Sequence, residues 1–209
     1  MPELYRSLLN PAGANPIYAP SRGPAHLPTG TNLALKKPYT CDPRPNYKAS
    51  NGNKLYHRLY DPEDVNDLTD GVLASGELGD DRWVVWTRQA KWAAEPSSSL
   101  DDMRGARVTV DLGEVRQISS VAVHLWSAPA WASPFPSVAV ALSRDGRNFT
   151  ESASTTAAAQ GYLEPFGWPR VDWFVLGQLN RSARYVRLTF TFGHNAAHLA
   201  ADEIAVYGQ

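Results

Sequence analysis

Between Arg107 and Trp126 the chain reads as β-structure. Val108, Val110 and Leu112 alternate with Thr109 and Asp111, the period of two that marks a half-buried strand. Gly113 breaks the run, and Glu114 to Gln117 form a polar connection. A second apolar and largely β-branched run follows, with Ile118, Val121, Val123 and Leu125, residue types suited to a pleated surface. No apolar stripe at spacings of three and four accompanies either run, so a helix of useful length does not fit. The stretch predicts two strands of an all-β domain.

The same grammar recurs along the chain. Residues 32–35, 82–87, 137–143, 148–152, 171–176, 184–191 and 204–207 read as strands, and Asp145-Gly146 marks a hairpin turn. A set of about eight strands with turns between them predicts a two-sheet antiparallel β-sandwich or jelly roll. Polar, turn-rich segments at 41–64, 88–106, 128–136, 155–170 and 193–201 read as loops, and loops of such length are commonly functional. Residues 1–31, with Pro2, Pro11, Pro16, Pro20, Pro24 and Pro28, read as an extended arm or linker. The domain proper is then 32–209.

Composition narrows the function classes. A chain of 209 residues suits one large sandwich plus an extension. The formal net charge of −1 gives no electrostatic case for nucleic acid. No apolar run approaches the about 18–20 residues that span a bilayer, so membrane insertion is not expected. Cys41 is the single cysteine, which leaves no internal disulfide and no multi-cysteine zinc site. The N-terminus lacks the apolar core of a signal peptide. The sequence holds no Gly-x-Ser-x-Gly, His-Glu-x-x-His or phosphate-binding glycine loop, so a non-catalytic protein is expected. Cys41 as a nucleophile would need a positioned histidine, and only His57 shares its loop. The seven Trp and nine Tyr exceed what a core this size needs, so some are expected at a recognition surface.

Six segments together resemble the discoidin-like domain, also called the coagulation-factor type C domain, which includes family 32 carbohydrate-binding modules. They are Asn32-Leu-Ala-Leu-Lys-Lys-Pro38, Leu68-Thr-Asp-Gly71, Val108-Thr-Val-Asp-Leu-Gly113 with Ile118-Ser-Ser-Val121, Ala141-Leu-Ser-Arg-Asp-Gly-Arg-Asn-Phe149, Ala183-Arg-Tyr-Val-Arg-Leu188 and Asp202-Glu-Ile-Ala-Val-Tyr-Gly208. Each is common alone; their order over 32–208 carries the resemblance. It implies a jelly-roll sandwich whose loops at one end bind ligands. The insertions at 41–64 and 88–106 depart from the compact family pattern. The cysteines that staple many animal members are absent, which favours a bacterial-type, secreted or extracellular module.

Two sites follow as expectations. Calcium takes about six to eight hard oxygens, and the acidic turn supplies Asp70, Ser75 and several carbonyls. Members resembling this chain bind calcium through positions that correspond to Asp70, the carbonyl of Asp67, Ser75 and Glu203, with the carbonyl of Asp202 beside them. Such an ion would be structural. A sugar site needs an aromatic plate beside bidentate polar groups. Trp92, Trp131, Phe135 and Trp168 are the candidate plates, and Arg88, His124, His194, Asn195 and His198 the candidate polar partners. Trp83 and Trp86 have opposite parity on one strand, so one is expected in the core; Trp126 reads as packing, and one of Trp173 and Phe174 as buried. The expected function is a module that holds a glycan or polysaccharide and tethers a larger attached protein or a cell surface to it. The alternatives are a protein- or membrane-adhesion module and an accessory domain packed on a catalytic neighbour.

Overall fold

The computed structural model describes residues 27–46, 67–74, 82–88, 103–128, 135–156, 159, 170–193 and 196–209. The strands are β1 (Thr31–Asn32), β2 (Tyr39–Asp42), β3 (Val84–Thr87), β4 (Gly105–Ser127), β5 (Ser137–Ser143), β6 (Thr150–Thr155), β7 (Arg170–Leu176), β8 (Arg181–Thr191) and β9 (His198–Gly208). All strand pairings are antiparallel.

The two runs that open the sequence reading belong to one 23-residue strand, β4, rather than two. Its first half pairs with β2 on one edge and β8 on the other, and β8 continues to β5 and β6. Its second half pairs with β7 and β9, and β9 carries β1 and β3 on its far edge. The halves thus lie in the two layers of a sandwich, and the register shifts between Asp111 and Arg116 where β4 passes from one to the other. Gly113 sits there at φ +86°, a left-handed conformation that costs an L side chain energy. The Asp111 carboxylate fixes the bend: Oδ1 accepts the Gly113 N–H at 2.8 Å, and Arg184 binds both oxygens at 2.7 and 2.8 Å. That guanidinium holds the Asp111 carboxyl below its ordinary range.

The alternation read from the sequence places Val108, Val110, Val186, Leu188, Phe190, Val138 and Val140 inward, with Val121, Val123, Leu125, Ile204 and Val206 from the other layer. Trp86 stacks on Phe190 across the layers, with ring centroids 6.3 Å apart. The opposite face of the second layer is also buried. Trp83, Val85, Trp126 and Ala200 form one cluster there, and Ala122, Trp173, Ala205 and Tyr207 another, with Leu27 packed against the latter. This is why Trp83 and Trp86 are both fully buried despite opposite parity, and why Trp173 is buried as well as Phe174. Other strand bounds differ from the reading: the expected strand at 32–35 is strand only at Thr31–Asn32 and then turns, β3 starts at Val84, and β6 runs Thr150–Thr155. Residues 39–42 form β2, because each pairs with an Arg107–Val110 partner. β9 begins at His198, because residues 198–201 pair with β3.

Candidate functional site

The register assembles one end of the sandwich. Asp42 lies opposite Arg107, Thr87 opposite His198, Gly105 and Ser137 opposite Thr191, Val138 opposite Thr155, and Ser127 opposite Arg170. The chain therefore leaves the layers at that end after Asp42, Thr87, Ser127, Thr155 and Thr191, and returns there at Gly105, Ser137, Arg170 and His198. The opposite end holds the β4 bend, the Asp145 hairpin and the β7–β8 connection. Trp92, Trp131, Trp168, His194 and Asn195 are outside the described residues, and all fall in the sequence between strand ends at the first end.

The structure corrects three of the expected sugar contacts. Phe135 is 4% exposed and packs on Phe174 with centroids 4.9 Å apart, so it is a core ring and not a surface plate. His124 is buried because its strand is covered on both faces. It stacks on Trp83 at 5.8 Å, meets Trp173 at 5.1 Å, and its Nδ1 lies 2.6 Å from Asp202 Oδ1. This pair resembles an acid–base dyad in composition, but the two indoles close it off from a polymer. His198 is buried at the first residue of β9, held by its pairing with Thr87. Arg88 stays half-buried at the loop end. Its guanidinium lies 4.9 Å over the Phe192 ring, and Nε donates to the Ala196 carbonyl at 2.8 Å. Arg88 thereby braces the segment that flanks His194 and Asn195.

The second region is the acidic turn beside β9. A 3₁₀ turn, Asp67–Thr69, plants Leu68 in the main core, and Thr69 Oγ1 donates to the Lys37 carbonyl at 2.7 Å. Gly71, at φ +82°, allows the chain to reverse. Asp70 Oδ1 accepts the Val72 N–H at 2.7 Å. On β9 the register shifts between the partners of His124 and Leu125, leaving Asp202 unpaired. This is a bulge, which puts two residues opposite one. Leu199 and Ala201 face the main core before it, Ile204 and Val206 after it. Both Asp202 and Glu203 reach the turn as a result: Asp202 Oδ2 accepts the Ala74 N–H at 2.6 Å and Glu203 Oε2 the Gly71 N–H at 2.9 Å.

Glu203 is the unsettled group of this region. It is 2% exposed, and its Oε1 is buried with no hydrogen-bond partner. Burial first, then the neighbouring Asp70 and Asp202 charges, push its carboxyl up to about 8 from an ordinary 4.5, against the pull of the Gly71 N–H and the Asn32 side chain. Asn32 Oδ1 meanwhile accepts the Ala34 and Val206 N–H groups, both at 3.0 Å, and so anchors the domain start beside it. A hard cation here would meet an orphaned carboxylate oxygen, a second carboxylate from Asp70 and turn carbonyls, which is the donor chemistry of calcium. Among the described residues no three His, Cys, Asp or Glu side chains converge as a ready metal cage, so carbonyl and hydroxyl oxygens would have to complete the shell. Ser75 lies outside the described residues. Asp202 faces this region with its carboxylate committed to His124 and Ala74, which the sequence did not signal.

Half-buried Cys41 has its thiol pushed up to about 12 by burial, away from the thiolate that nucleophilic chemistry needs. No helix among the described residues is long and apolar enough to cross a membrane.

The architecture recurs in solved structures. A fucose-binding module of Streptococcus pneumoniae superposes with a TM-score of 0.51 at 16% identity, covering 86% of this chain and 96% of that one. The C-terminal domain of a chitobiase from Bacteroides fragilis does so with 0.51 at 15% identity, covering 86% and 98%. No protein-family model and no curated protein sequence matches the chain. At these identities the likeness establishes the fold alone, an antiparallel β-sandwich.

Proposed function

We propose that this domain is a non-catalytic carbohydrate-binding module that holds a glycan at the loop end of the sandwich and keeps an attached protein or cell surface at its substrate. The observation that carries the reading is the gathering of strand ends on one side, with Trp92, Trp131, Trp168, His194 and Asn195 all in the segments between them. An indole plate against sugar C–H groups, flanked by amide and imidazole donors, is the chemistry a glycan requires. The fucose-binding module that shares the fold makes a sugar the natural ligand class to test. Tethering acts through effective concentration, so a weak site suffices. A secreted or extracellular setting follows from such a ligand.

The same proposal gives the acidic turn a structural calcium ion, held by Asp70, Glu203 and the carbonyls of Asp67 and Asp202, with Ser75 as hydroxyl donor. When bound, the ion supplies positive charge that the Glu203 carboxylate otherwise lacks. The experiment is a pull-down of the purified chain on insoluble polysaccharides and a glycan array, with and without chelator, alongside Trp131→Ala and Asp70→Ala. Trp131→Ala is expected to lose binding and keep its melting temperature. Asp70→Ala is expected to lose the chelator response of the wild type. Absence of binding across the panel refutes the module; a wild-type melting temperature indifferent to calcium refutes the ion.

A further inference from the structure

An open cleft of about 520 Å³ lies at the loop end, between the end of β2, the start of β4 and the end of β8. It is distinct from the acidic turn and contains none of the residues singled out as sugar contacts. Its volume is within the range of small-ligand sites. Met103 and Pro43 supply its apolar side chains, Phe190 borders it with its ring buried in the core, and Thr189 and Thr191 line it from β8. Its charged residues are Arg104, Arg107 and Asp42, a net positive lining on a chain whose overall charge is −1.

The two guanidiniums differ in state. Arg107 Nη2 is paired with Asp42 Oδ2, with both side chains more than half exposed. A solvated pair of this kind exchanges readily with a competing anion. Arg104 is exposed and makes no ion pair among the described residues; its backbone carbonyl accepts the Phe192 N–H at 3.0 Å, which fixes the residue at the rim. Positive charge continues along the outer face of β8. Arg187 sits 3.5 Å over the Phe149 ring and donates to Thr109 Oγ1 at 3.2 Å, close enough to Arg107 to feel its charge. Guanidinium forks match planar carboxylates and the oxygens of sulfate esters, and they need no further partner to discriminate charged from neutral sugars. The Gly105 backbone supports the cleft: a Cβ there would stand 1.7 Å from the Phe190 carbonyl oxygen, so β4 and β8 meet too closely for a side chain.

We infer that this cleft is an anion-recognising subsite, with Arg104 and Arg107 gripping the carboxylate or sulfate of an acidic glycan whose ring lies on the Met103 and Pro43 side. The inference rests on the carbohydrate-binding reading and names its ligand class. The test is calorimetric titration of the full chain at low salt with four oligosaccharides of equal length: oligogalacturonate, its methyl ester, a neutral galactan oligomer and a sulfated galactan oligomer. An anionic oligomer is expected to bind at least about tenfold more tightly than the ester, with affinity falling as salt rises. Which anionic oligomer is preferred identifies the source of the negative charge. Arg104→Gln and Arg107→Gln are each expected to remove about tenfold of that preference while leaving binding of the neutral oligomer unchanged. Equal binding of charged and neutral oligomers overturns the inference and leaves the carbohydrate-binding module standing. Full retention of the anionic preference in Arg104→Gln also overturns it, since that side chain anchors no packing. Failure of every oligomer to bind overturns the inference, while the carbohydrate-binding module is refuted only by absence of binding across the polysaccharide and glycan panel.

Discussion

Replacing Glu203 with Gln makes the acidic turn a quantitative test of the burial argument. In metal-free protein the folded Glu203 carboxyl stands at about 8 and its ordinary value is 4.5. Between those values the folded chain keeps a proton that the unfolded chain has lost. Stability tied to this group is therefore fully present below pH 4.5 and is lost as pH rises through 8, the reverse of a salt-bridged carboxylate. The slope is about 1.4 kcal/mol per pH unit and the loss from pH 5 to 8 about 3–4 kcal/mol, a large share of a typical domain stability of about 5–15 kcal/mol. Glutamine keeps an oxygen for the Gly71 N–H but cannot ionise. Urea unfolding in chelator, followed by tryptophan fluorescence at half-unit steps from pH 5 to 8, is expected to show the wild type losing stability relative to Glu203→Gln by that amount. Saturating calcium is expected to flatten the difference, because the ion replaces the proton. Parallel pH profiles in chelator would refute the reasoning, since they would mean that Glu203 ionises as a solvated carboxylate does.

Other outcomes follow from the packing. Burial pushes the Cys41 thiol up to about 12, so its reaction with a disulfide reagent at pH 8 should be slower in the native protein than in denaturant; equally rapid native labelling would contradict the raised thiol. Trp86→Ala removes a fully buried indole from the inter-layer core and should cost about 3–5 kcal/mol. Val115→Ser, at a 49% exposed position on the β4 bend, should stay within about 0.5 kcal/mol, as chemical denaturation can check. Gly105→Ala should lower the melting temperature sharply and shift the backbone amide signals of Phe190 and Thr191, because its Cβ meets the Phe190 carbonyl; an unperturbed spectrum would show that β4 and β8 are farther apart.

Local chemistry wrote much of this architecture into the sequence. Period-two alternation at 108–112, 137–143 and 184–190 fixes which side chains face in, because a strand has only two faces, and the structure buries those same positions. Asp145-Gly146 and Asp70-Gly71 mark turns through a glycine at positive φ, +72° and +82°. The pairing of Glu203 with the acidic turn was legible as a juxtaposition, through resemblance. Tertiary structure alone decided the rest. Polarity cannot distinguish a strand buried on one face from one buried on two, so His124 looked available for a ligand until Trp83 and Trp173 closed over it. A single residue of bulge at Asp202 redirects two carboxylates, and no pattern announces it, because a bulge depends on the partner strand's register. The Arg104–Arg107 cleft was invisible for the same reason. Arg107 alternates outward as any solvated residue would, and only the meeting of β2, β4 and β8, 65 to 149 residues apart in sequence at Asp42, Arg107 and Thr191, sets it beside an apolar wall.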